Sequence, residues 1–233
     1  MRRALQAVVV CVPLIMASKA ISTANAADAQ RVRLGGNEFA IPQRYFQDGG
    51  QAPSWFRWLP GLDDGSRELL LMIPASEVAA AVPGFIPKDG HYDDDLRLRL
   101  VALQEDEKRR YLDPNRFSDI WASTGSYRDP IIETDPETGI VRVYRHVEYP
   151  NSWEAFTISP NKPIPSDLFS FWIGHCLNSR SPLTHSGALA LCKSYILVAD
   201  VGVNFTMSAQ NLKNIDGIRN YLASLVSQWL RRR

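Results

Sequence analysis

Apolar and polar positions alternate with a period of two in several separate stretches of this chain. Leu96, Leu98 and Leu100 interleave with Arg97 and Arg99, Val141 and Val143 with Arg142 and Tyr144, and Val201, Val203, Phe205 and Met207 with Gly202, Asn204 and Thr206. Successive side chains of a strand point to opposite faces, so this pattern predicts sheet with one buried and one wet face. Helical spacing is clearest near the end of the chain, where Leu212, Ile215, Ile218, Leu222, Leu225, Val226 and Trp229 recur on one side. That spacing predicts an amphipathic C-terminal helix packed on the sheet. Ser208 or Asn211 can cap its start, and Arg231, Arg232 and Arg233 suit its negative end.

Turn residues divide the strands. Gly35, Gly36 and Asn37 join residues 31–34 to 38–41 as a tight hairpin ended by Pro42. A strand over 67–73 stops at Pro74, and a short helix follows over 77–82 with Ser76 as N-cap and Pro83 and Gly84 as its end. The charged run 105–110 reads as a solvated turn or short helix, and Asp113 with Pro114 opens another that reaches Trp121. Asp135, Pro136, Glu137, Thr138 and Gly139 form a turn between strands over 131–134 and 140–149, and a further strand over 153–159 completes a meander. Residues 168–173 are almost wholly apolar, and 195–207 are rich in β-branched and aromatic residues; both read as central strands. A hairpin turn is expected near Ala199 and Asp200. The fold class is therefore α+β: mostly antiparallel sheet of hairpins and a meander, the C-terminal helix, and one or two short helices.

The first residues change the setting. Arg2 and Arg3 precede an apolar run from Val8 to Met16, and Ala24, Asn25 and Ala26 supply a small-residue cleavage site. This pattern predicts a cleavable signal peptide over 1–26 and a single α+β domain over 27–233. The apolar run is well short of the roughly 20 residues that span a bilayer, so an integral membrane protein is not expected. Cleavage removes Arg2, Arg3 and Lys19, which turns the formal charge of +1 for the whole chain into about −2. No nucleic-acid partner is expected from that balance.

Of the three cysteines, Cys176 and Cys192 lie beyond the cleavage site. An even pair in an exported protein usually bonds, and closing a loop of this length contributes about 3 kcal/mol. A disulfide between Cys176 and Cys192 is the expectation, and a nucleophilic thiol beside His175 the alternative. Location follows: periplasmic or secreted.

Candidate chemistry is sparse. The sequence carries no phosphate loop, dinucleotide fingerprint, zinc-binding histidine pair or nucleophile elbow, so no catalytic, cofactor or metal residues are assigned. His91 beside Asp93, Asp94 and Asp95 lacks the ligand spacing of a calcium loop. His91, His146, His175 and His185 are scattered and could form a site only if folding gathers them. The irregular segment with Trp55, Arg57 and Trp58 reads either as a core-packing aromatic cluster or, if exposed, as the candidate partner surface, since exposed Trp and Arg often dominate interfaces. These readings favour an exported, non-catalytic binding protein, of the inhibitor or immunity type, acting on an envelope enzyme. The alternative is a small envelope hydrolase of peptidoglycan or another polymer, with a carboxylate or histidine site assembled from separate loops.

Overall fold

The computed structural model describes residues 28–46, 67–87, 96–111, 113–145, 152–165, 167, 170–178 and 190–231. The expected hairpin forms as β1 (Ala29–Leu34) and β2 (Asn37–Pro42). Then come β3 (Glu68–Ile73), α1 (Ala75–Ala81), β4 (Leu96–Ala102), α2 (Glu105–Tyr111) and α3 (Ser118–Ala122). The rest is β5 (Ile131–Thr134), β6 (Val141–Tyr144), β7 (Ser152–Phe156), β8 (Trp172–Asn178), β9 (Ala190–Val198), β10 (Val201–Ser208), α4 (Ile215–Trp229) and β11 (Leu230–Arg231). The class is α+β, as the alternation predicted.

Eight strands form one antiparallel sheet in the order β3-β4-β10-β9-β8-β7-β6-β5. From β5 to β10 each strand pairs with its neighbour in sequence, so the expected meander continues through the central hairpin of β9 and β10. β3 and β4 join along the free side of β10. A smaller sheet pairs β1, β2 and β11.

Alternation decides which face is buried. Leu96, Leu98 and Leu100 of β4 are buried while Arg97 and Arg99 are exposed. They align with Leu71 and Ile73 on one side and with Val201, Val203 and Phe205 nearby in the sheet. Ile218, Leu222 and Val226 of α4, Val78 of α1, and Leu34, Phe39 and Ile41 of the small sheet belong to the same core. Each such side chain stabilises the fold by about 1.5–3 kcal/mol. A second core lies on the opposite face, over β6 to β9. There Phe117 of the 3-10 turn Pro114–Phe117, Ile120 of α3 and Tyr127 of the turn Gly125–Tyr127 pack with Val141, Val143, Phe156, Trp172 and Tyr195.

Four local expectations are corrected. The strand foreseen over 168–173 begins only at Trp172, because Ser170 is held in a turn by the Asp167 carboxylate, which accepts from both its main-chain N–H and its hydroxyl. Pro74 stands at the N-cap position of α1 in place of Ser76, and its carbonyl accepts from Glu77 and Val78. Ser208 caps a 3-10 turn, Ala209–Asn214, that contains Leu212 and precedes α4. Asn211 is buried and caps nothing; its amide pairs with both main-chain groups of Ile86, at 2.8 and 3.1 Å. Arg231 does not extend the helix. With Leu230 it crosses to pair with Phe39 and Glu38 of β2, where edge pairing outweighs the modest dipole term.

Candidate functional site

Of the residues singled out by sequence, Trp55, Arg57, Trp58, His91, His146 and His185 lie outside the described residues. Cys176 and Cys192 are directly opposite one another on β8 and β9, fully buried, and joined by a disulfide. The alternative of a free thiol is thereby corrected. His175 belongs to the other face of the sheet, as strand periodicity requires.

On that face His175 meets residues the sequence reading had passed over. β7 puts Ser152 and Glu154 on one side, and strand pairing sets His175 opposite Glu154. His175 Nδ1 lies 2.8 Å from Glu154 Oε1, and His175 Nε2 lies 3.4 Å from Ser152 Oγ. Glu154 is only 7% exposed, yet its carboxylate is well supplied with donors. Tyr127 Oη donates to Oε1 at 3.2 Å and Trp172 Nε1 to Oε2 at 2.8 Å. A buried carboxylate with such partners avoids the penalty of an unpaired charge. Burial, then the Glu154 charge, pushes the Tyr127 phenol well above its ordinary range, so it stays a donor. Arg145 Nε donates to Tyr127 Oη at 3.3 Å, and the Arg145 main-chain N–H donates to the Ser152 carbonyl, also at 3.3 Å.

The scaffold around this cluster is stiffened from both faces. Arg116 lies 5.2–5.5 Å from the ring centres of Phe117, Trp172 and Tyr195 and donates to Tyr195 Oη at 3.0 Å. From the other side Arg219 of α4 donates to the carbonyls of Trp172, at 2.8 Å, and Ile173, at 3.3 Å, and to Ser194 Oγ at 3.1 Å. Burial lowers its pKa from the ordinary guanidinium value. These contacts fall where the register between β7 and β8 shifts. Gly174 is required there, since a Cβ would sit 2.8 Å from the Lys193 carbonyl oxygen.

A second feature lies at the end of the sheet. β5 pairs with β6 on one side, and all four of its residues are exposed. Ile131 is 51% and Ile132 43% exposed. Ile131 stands opposite Tyr144 and Glu133 opposite Arg142 on one face, while Ile132 stands opposite Val143 on the other. Arg142 is already ordered: its guanidinium donates to Asp135 at 2.9 Å and lies 5.4 Å from the Trp153 ring centre.

No helix of the described residues is long and apolar enough to cross a membrane. No protein-family model matches the chain, and no curated protein matches it. Among solved structures, the chain is similar to Smlt3025, an immunity protein of the Stenotrophomonas maltophilia type IV secretion system. That alignment covers 88% of this chain and 94% of that one, at a TM-score of 0.45 and 15% identity.

Proposed function

We propose that this chain is an exported periplasmic binding protein, an inhibitor or immunity-type partner of an envelope-acting enzyme, and that it takes an extended segment of its target along the outer edge of β5. The observation that carries the reading is the exposure of Ile131 and Ile132 on the strand that ends the sheet among the described residues. Edge strands usually carry charge, proline or a cover, because free main-chain N–H and C=O groups recruit other strands. Here Pro130 precedes the strand and Glu133 is its one charge, paired across from the preordered Arg142, while Ile131 and Ile132 present apolar surface on either face. Strand addition draws affinity from main-chain hydrogen bonds and specificity from alternate side chains. The leader pattern of Arg2, Arg3, Ala24 and Ala26, together with the disulfide, supports an oxidising compartment outside the cytoplasm. Trp55, Arg57 and Trp58 are proposed as a further contact surface.

Affinity capture with tagged residues 27–233 from periplasmic extract tests the reading. The wild-type chain should retain a stoichiometric protein, and the double variant Ile131→Lys with Ile132→Lys should lose it at an unchanged melting temperature. Equal capture by both chains would overturn the assignment to β5.

A further inference from the structure

Beyond the binding reading, we propose that Ser152 is a nucleophile activated by His175, with Glu154 as positioning residue, in a site for a carboxylic ester. The three groups stand in the order such a relay needs. Both oxygens of Glu154 accept, from Tyr127 and from Trp172, so the 2.8 Å contact is read with His175 Nδ1 as the donor. The lone pair of Nε2 then faces Ser152 Oγ at 3.4 Å, a separation of the loose kind found in unliganded sites that tighten around substrate. This is the division of labour of a serine, histidine and carboxylate relay. Glu154 already receives Tyr127 and Trp172, so satisfying the carboxylate does not by itself require His175.

Two neighbours complete the surroundings. Arg145 is bonded through its main chain to Ser152 and through Nε to Tyr127 Oη, which ties the Ser152 end of β7 to the carboxylate network. Leu177, the cross-strand partner of Ser152, is 44% exposed beside the 8%-exposed serine and offers apolar surface for an acyl chain. In the reaction Ser152 Oγ bonds to the ester carbon as its proton passes to His175 Nε2, and the carbonyl π pair moves to oxygen. Collapse of that oxyanion breaks the carbon to alkoxy-oxygen bond, and the departing alkoxide takes the proton from His175. Water then repeats the sequence, releasing the acid and restoring Ser152.

A fluorophosphonate tests the step directly. Attack forms an Oγ to phosphorus bond, expels fluoride, and leaves a mass increment on the serine. Intact-mass and peptide mapping of the folded full-length chain should place one adduct on Ser152, absent in Ser152→Ala, with the rate at least about 100-fold lower in His175→Asn. Glu154→Gln should slow labelling and alter its pH profile, with a lowered melting temperature, because the amide nitrogen cannot accept from its buried donors as the carboxylate does. The groups facing His175 are Glu154 from β7 and Lys193 from β9, with Tyr127 and Arg145 beyond the carboxylate. Should a His175 or Glu154 variant fail to fold, the wild-type profile decides alone: the labelling rate must depend on pH. No Ser152 adduct on folded protein, or a rate independent of pH, would overturn the proposal. The relay lies on β7 and β8 and β5 is not part of it, so either result leaves the edge-binding reading to its own test.

Discussion

Tyr45 donates its phenolic hydrogen to Glu77, tying the 3-10 turn after β2 to helix α1. Burial first, and then the bond to Glu77, push the Tyr45 pKa up to about 12. Tyr221 of α4 donates to the same carboxylate at 3.2 Å and is raised in the same sense, chiefly by burial. A raised folded-state value means that stability is fully present below the ordinary tyrosine value near 10 and is lost as pH climbs toward 12. Melting temperatures at pH 9 and pH 11 should therefore fall steeply for the wild type and less steeply for Tyr45→Phe. An identical fall in both would contradict the linkage.

Replacing Cys176 and Cys192 together with alanine should lower stability by about 2–4 kcal/mol, since the bond closes a loop of 16 residues' separation. Denaturant midpoints of the oxidised wild type and the double variant give the difference. Free-thiol labelling of both cysteines in native material would contradict the pairing.

Leu222 is fully buried in the core between α4 and the large sheet. Leu222→Ala should cost about 2–5 kcal/mol through lost burial and the cavity left behind. Leu222→Asp should be worse, because an unpaired carboxylate enters the same space. Leu225, only half-buried, should tolerate Leu225→Ala better. Equal losses at the two positions, read from thermal melts, would place the buried face of α4 elsewhere.

Much of the fold is legible in local pattern, because burial on an antiparallel sheet imposes a period of two that Leu96 to Leu100 and Val201 to Met207 display openly. The hairpins were legible for a different reason: Gly35, Gly36 and the run Asp135 to Gly139 carry turn chemistry in the residues themselves. Where the reading failed, a tertiary or side-chain bond competed with local propensity. Asp167 holds Ser170 in a turn ahead of β8, and Asn211 left its capping role to hold Ile86. The candidate site was hidden for a stricter reason. Ser152 and Glu154 are visible as a pair two apart, but His175 reaches them only through strand register between segments about 20 residues apart, and no spacing rule encodes register. Exposure of Ile131 and Ile132 depends likewise on β5 being last in the sheet among the described residues, which pattern alone does not state.

The most direct measurement is amide hydrogen exchange of the chain alone and in complex with the protein it retains from periplasmic extract. Main-chain groups on the free side of β5 exchange rapidly while open and slowly once paired. In the free chain the amides of residues 131–134 that point away from β6 should exchange quickly, and in the complex they should become strongly protected while those of buried β10 hardly change. A stoichiometric complex in which 131–134 exchange as fast as in the free chain would contradict strand addition at β5.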